Sequence, residues 1–183
     1  MRAEWGLESD DLAVLYVGRL AAEKNIGLAL SAFAAIQARR PSARFVLVGD
    51  GPLRAKLQRQ YPAHHFAGQR LDSDLATHYA SGDIFLFPSL TETFGNVTQE
   101  AMASGLAVVA FRSAAAAEMI VDAENGRTIA PGDNAAFIQA AEELTQNNPA
   151  LRERARQSVS ACGWDAVSLR FEAVLREAIS AGA

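Results

Sequence analysis

Ile84-Phe85-Leu86-Phe87-Pro88-Ser89-Leu90-Thr91-Glu92-Thr93-Phe94-Gly95-Asn96-Val97-Thr98-Gln99-Glu100 is the stretch that decides the fold. Four apolar residues without alternation read as a strand buried on both faces, and Pro88 stops it. A polar loop follows, then a glycine, then a helical segment over Asn96 to Ser104. Strand, loop and helix make half of a β-α-β unit. The same order recurs on both sides. Leu12 to Val17 reads as a strand, followed by a helix over Asn25 to Ala38 with Ile26, Leu30, Phe33 and Ile36 on one face. Phe45 to Val48 is a strand closed by the turn Gly49-Asp50-Gly51-Pro52. Leu53 to Gln60 is helical and Phe66-Ala67 a short strand. Asp72-Ser73 is expected to cap a helix over Leu75 to Ala80. Ala107 to Phe111 is a strand, Ala115 to Ile120 a short helix, and Thr128-Ile129 a last strand. Such alternation implies right-handed crossovers and a parallel sheet covered on both faces. The expected fold class is α/β, a Rossmann-like doubly wound sheet whose ligands sit beyond the carboxyl ends of the strands. Three further helices follow, over Asn134 to Gln146, Pro149 to Ala161 and Asp165 to Ile179. Val167, Phe171, Val174 and Leu175 form an apolar stripe on the last, which packs either on its own sheet or on a neighbouring domain.

The 183 residues suit one domain, and half of them are hydrophobic, enough for a full core. The net charge of -4 speaks against a nucleic-acid binder, which is more often basic. Cys162 is a single cysteine and excludes an internal disulfide. No apolar run approaches the roughly 18 residues of a membrane span. A cytoplasmic protein is expected, with peripheral association with a membrane left open. His64, His65 and His78 lack zinc-ligand spacing, and no metal site is expected. Gly-x-x-x-x-Gly-Lys-Ser/Thr, Gly-x-Gly-x-x-Gly and Gly-x-Ser-x-Gly are all absent, which disfavours P-loop, dinucleotide and serine-hydrolase chemistry.

Three loops at strand ends carry polar residues that strand packing does not need. Gly18-Arg19-Leu20-Ala21-Ala22-Glu23-Lys24 places two cations near the start of a helix. Guanidinium, ammonium and helix amino terminus together suit a diphosphate; a solvated loop with an Arg–Glu surface pair is the competing reading. Ser89 to Glu100 carries carboxylates at both ends of a turn into a helix. Glu92 and Glu100 suit a hydroxyl-rich ligand, ribose or hexose, because a carboxylate accepts several hydrogen bonds. The competing readings are helix-dipole stabilisation and a surface salt bridge. Gly49-Asp50-Gly51-Pro52 alone is only a turn.

In order and spacing these blocks resemble family 4 glycosyltransferases. The resemblance rests on Tyr16-Val17-Gly18-Arg19-Leu20, Glu23-Lys24-Asn25, Gly49-Asp50-Gly51-Pro52 and Phe66-Ala67-Gly68. It continues through Tyr79 to Ser89, Glu92-Thr93-Phe94-Gly95, Glu100 to Gly105 and Glu124-Asn125-Gly126. Glu92 and Glu100 match the Glu-x7-Glu pattern of that family, and the match covers roughly Leu12 to Ile179. The resemblance implies the C-terminal half of a two-domain GT-B enzyme, residues 1–183 being one nucleotide-sugar-binding domain. A terminal helix over 165–181, preceded by Trp164, would cross to an N-terminal domain. It implies a retaining hexosyl transfer from a nucleotide diphosphate sugar, a UDP-sugar or GDP-mannose, with no cofactor and no metal. The acceptor would be a glycolipid, a saccharide or a small molecule, and the chain alone would be inactive. Arg19 and Lys24 match the diphosphate positions, and Glu92 with the backbone of Thr93, Phe94 and Gly95 matches the donor-sugar contacts. Glu100 matches the ribose carboxylate, Val97 would line the ribose with Asn96 in the same donor site, and the Gly68-Gln69-Arg70 backbone would lie near the base with Gly18 close to the phosphates.

Two departures stand out. Gly105-Leu106-Ala107-Val108-Val109 lacks the usual proline, and Ser113 to Glu118 replaces a Gly-Gly-x-Pro-Glu stretch. Losing two glycines would crowd a close backbone approach to the diphosphate. A GT-B nucleotide-sugar epimerase and a non-catalytic nucleotide-sugar sensor are the alternative functions. The spacing of Gly18-Arg19 and Lys24 argues against the first.

Overall fold

A computed structural model describes residues 1–146 and 148–181, without the side chains of Trp164 and Ala181. Six parallel strands form one sheet: β1 (Ala13–Val17), β2 (Arg44–Val48), β3 (His65–Gly68), β4 (Ile84–Phe87), β5 (Ala107–Phe111) and β6 (Arg127–Ile129). The helices are α1 (Ile26–Arg39), α2 (Arg54–Gln60), α3 (Asp72–Ala80), α4 (Asn96–Ala103), α5 (Ala114–Met119), α6 (Asn134–Glu143), α7 (Pro149–Val159) and α8 (Trp164–Ala181). Strand order is β3-β2-β1-β4-β5-β6. The chain winds outward one way from β1 and then the other way from β4. The loops leaving β1 and β4 therefore diverge and open a crevice between them. The expected doubly wound fold is present.

Each of β1, β4 and β5 is buried along its whole length, which explains their unbroken apolar sequences. Phe33 of α1 stacks on Phe45 of β2 at 4.9 Å between ring centroids, and Phe137 of α6 meets Phe111 of β5 at 5.3 Å. Burying one such side chain contributes roughly 1.5–3 kcal/mol, so these contacts hold the helices to the two halves of the sheet.

The opposite end of the sheet is tied by charge. Asp83, just before β4, accepts from Arg2 at 2.9 Å, from Arg152 of α7 at 3.1 Å and from the Ala13 backbone N–H at 2.9 Å. One carboxylate thus joins the first turn of the chain, the start of β1 and α7. The first turn also buries Trp5 against His78 and His65. Nothing in the sequence pattern marks Trp5 as a core residue.

One expectation needs correction, and one open alternative is narrowed. Asp72 does not cap α3 from outside. It is the first helical residue, at φ 48°, Leu71 holds the cap position, and no side chain bonds there. The stripe on α8 does not pack on the sheet. Val167, Leu169, Phe171, Val174, Leu175 and Ile179 are all exposed.

Candidate functional site

The crevice between β1 and β4 is a cavity of about 450 Å3. Its walls bring together most of the residues singled out from sequence: Gly18, Arg19 and Lys24 from the loop after β1, and Glu92 to Val97 from the loop after β4. An adjoining cavity of about 410 Å3 shares Gly18 and Arg19 and is completed by Gly49, Asp50, Gln69 and Arg70.

Backbone bonds fix the first loop. Gly18 N–H donates to the Val48 carbonyl at 3.0 Å, and Leu20 N–H to the Asp50 carbonyl at 2.9 Å. Leu20 is fully buried and anchors the turn, so Arg19 beside it points outward. Tyr16, buried in β1, donates its hydroxyl to the Arg19 carbonyl at 3.2 Å. Burial, and after it the negative charge of Glu92, pushes that hydroxyl's pKa far above the ordinary tyrosine value, so it remains a donor. Arg19 itself is exposed and lies 3.6 Å from Glu23. The surface pair of the competing reading is thus present, yet it leaves the guanidinium on the rim of both cavities.

Lys24 has a partner that sequence did not reveal. Its ammonium lies 2.5 Å from Glu92 Oε1 and donates to the Thr91 carbonyl at 3.0 Å. Residues 68 apart in the chain close one end of the cavity as an ion pair. Chain separation hides such a contact, and only the shared placement of both loops at strand ends hinted at it.

Gly95 makes the turn into α4. Its φ of 87° lies where side chains are strained, and it serves as the helix cap. Gly95, Asn96 and Val97 line the crevice, and no side chain caps this end of α4, a setting that favours an anion. The Phe94 carbonyl accepts from Ala115 N–H at 2.7 Å. The alanine-rich replacement therefore supports the Glu92 loop from behind. Ala114 takes φ 47°, the conformation a glycine would adopt freely.

Glu100 stands apart. It lies a turn into α4, accepts from the Tyr79 hydroxyl at 2.9 Å and lines a separate groove with Asn96, Gln99 and Met119. Burial first, and then Glu100, pushes the Tyr79 hydroxyl's pKa far up. Tyr79 thus fixes the position of the Glu100 carboxylate, a pairing that nothing local in the sequence signals. Arg70 donates to the Ala67 carbonyl at 3.0 Å and pairs with Asp74 at 3.0 Å, which folds the loop after β3 against α3. Asn125 is buried and bonds to both Val121 and Met119, a loop staple outside the crevice. Among the described residues no group of three or more His, Cys, Asp or Glu is placed to hold a metal ion. No helix there is long and apolar enough to cross a membrane.

A family model described as glycosyl transferases group 1 matches residues 11–147. The chain belongs to this family. A sulfoquinovosyl transferase of Arabidopsis thaliana is 38% identical over 132 residues, covering 69% of this chain and 25% of that protein. A GDP-mannose-dependent alpha-mannosyltransferase of Mycobacterium tuberculosis is 35% identical over 172 residues, covering 91% of this chain and 43% of that protein. Among solved structures, a sucrose-phosphate synthase from Thermosynechococcus elongatus matches at 28% identity and TM-score 0.80, covering 98% of this chain and 48% of that one. Anabaena HepE, solved with UDP-glucose, matches at 26% identity and TM-score 0.75, covering 98% of this chain and 51% of that one. This family member thus has a GT-B-type α/β half, and it spans about half or less of the length of these relatives.

Proposed function

We propose that this family member binds the donor for a retaining, metal-independent transfer of a hexose from a nucleotide diphosphate sugar. The observation that carries the reading is the convergence of Arg19, Lys24 and the amino end of α4 on one crevice at the point where strand order reverses. Guanidinium, ammonium and a helix amino end without a side-chain cap are three separate positive poles, and a diphosphate is the ligand that uses all three. The base would lie in the adjoining cavity by Gln69 and Arg70.

As the bond from the sugar's anomeric carbon to the phosphate oxygen breaks, its electron pair leaves with the diphosphate. The charge grows beside Arg19, Lys24 and Gly95. Donors fixed in advance at such a place lower the barrier, by roughly 3–4 kcal/mol for one measured donor. Glu92 would hold the hexose rather than attack it. The acceptor, whether glycolipid, saccharide or small molecule, would be bound largely by the part of the relatives that this chain does not span. The names of the relatives favour GDP-mannose, and the UDP-glucose bound in HepE favours a uridine donor.

Calorimetric titration with UDP, GDP and ADP, each with and without magnesium, tests the reading. One diphosphate binds selectively, equally well without metal, and Arg19→Ala weakens it about tenfold or more, the worth of one charge-assisted bond. A folded chain that binds none of the three contradicts it.

A further inference from the structure

Lys24 and Glu92 neutralise each other in the cavity wall, at 2.5 Å and with only 18% and 15% of their side chains exposed. A cation reserved for an anionic ligand is thus already paired, and its partner sits in the same 450 Å3 cavity. We propose that this pair makes the site prefer an intact nucleotide sugar over the free nucleoside diphosphate that transfer leaves behind. The inference rests on the donor site proposed above.

The reason lies in charge. A free nucleoside diphosphate ends in a phosphate monoester carrying about -1.5 to -2 near pH 7. In the nucleotide sugar that phosphate is esterified and holds a single negative charge, and the sugar adds hydroxyl donors. An anion that draws Lys24 toward itself strips Glu92 of its partner and leaves a largely buried carboxylate beside a phosphate. Breaking one half of such a pair is costly. The hexose compensates, because its hydroxyls donate to the carboxylate that Lys24 vacates. The free diphosphate brings more negative charge and no hydroxyl at that place. Glu92 is therefore a specificity-determining residue, and Lys24 is the switch that exposes it. After transfer the same carboxylate hastens departure of the product.

Calorimetry on the whole chain with UDP, UDP-glucose, GDP and GDP-mannose gives a ratio of dissociation constants, free diphosphate over sugar nucleotide, for each base that binds. Glu92→Gln removes the charge and keeps the shape. It is expected to tighten the free diphosphate, weaken the sugar nucleotide, and so lower the ratio by about tenfold, the size of one partly screened charge contact. Lys24→Met is expected to weaken both ligands. If Glu92→Gln moves both constants by the same factor, or weakens the free diphosphate, the inference is overturned while the donor site stands. If the folded wild-type chain binds none of the four, the donor site fails and the inference falls with it. Arg19→Ala separates the cases, because it should weaken both ligands without moving the ratio.

Discussion

Gly49 lies so close to Gly18 that a Cβ built on it would stand 2.0 Å from the Gly18 carbonyl oxygen. The two glycines end neighbouring strands, β2 and β1, and the loop after β2 leans directly on the loop that carries Arg19. Gly49 also sits at φ 136°, where a side chain is strained. Gly49→Ala must therefore push one loop off the other. The expected cost is about 2–4 kcal/mol, an overpacking and backbone-strain penalty, read as a lower midpoint in urea. A variant as stable as wild type would show that the two loops are not held together.

Asp83 makes a separate prediction about stability. Removing it leaves Arg2 and Arg152 facing each other in a half-buried place and frees the Ala13 N–H. Asp83→Ala is expected to cost about 2–3 kcal/mol, toward the lower end for a partly exposed pair. Both the site loops and the sheet's central register should survive, since the hub lies at the other end of the strands. Chemical denaturation measures the loss.

His64 gives the chain an acid limit. It lies among Phe33, Phe45 and Tyr61, and burial lowers its pKa below the ordinary 6.5. His65 is lowered as well, first by burial and then by His78 and Arg70. A lowered folded-state pKa means that the unfolded chain binds more protons. The stability these residues contribute is complete above pH 6.5 and is lost as pH falls from there through the folded-state pKa. Thermal midpoints measured from pH 7.5 down to 5 should fall, and His64→Phe should flatten the decline. An unchanged slope in that variant would remove His64 from the account.

Ala114 reverses a common rule. Alanine to glycine inside a helix ordinarily costs up to about 1 kcal/mol. At φ 47° the alanine side chain itself is strained by roughly 1–2 kcal/mol. Ala114→Gly is expected to leave the thermal midpoint unchanged or raise it, whereas Ala116→Gly, at a buried position inside α5, lowers it. Equal losses in both variants would contradict the left-handed turn at Ala114.

Runs such as Ile84-Phe85-Leu86-Phe87 and Ala107-Val108-Val109-Ala110-Phe111 announced buried parallel strands because burial on both faces leaves no room for alternation. The order of loops then placed Arg19, Lys24 and Glu92 on one side of the sheet. Pairings across long chain separations stayed hidden: Lys24 with Glu92, Tyr79 with Glu100, and Asp83 with its two arginines are set by where strands lie, and nothing local encodes them. Asp72 was misread because Asp before a helix fits a cap equally well in composition, and only the backbone shows it one residue further in. The fate of the α8 stripe was undecidable from periodicity, which says that a face is apolar but not what it meets.

That exposure has a consequence. If α8 adds little to this domain, truncation after Trp164 should change the unfolding free energy by no more than about 0.5 kcal/mol, as for ordinary surface changes. A loss of several kcal/mol would mean that α8 packs on the sheet after all.

The central claim is that the crevice between β1 and β4 holds the diphosphate. Amide chemical-shift mapping of the whole chain, titrated with UDP and with GDP, tests it most directly. The account predicts that the nucleotide that binds moves the amides of residues 18–24 and 92–97 most, with smaller changes at residues 49–50 and 68–70. Largest shifts elsewhere, in the groove of α4 and α8 or along α1 and α6, with those two loops still, would contradict it.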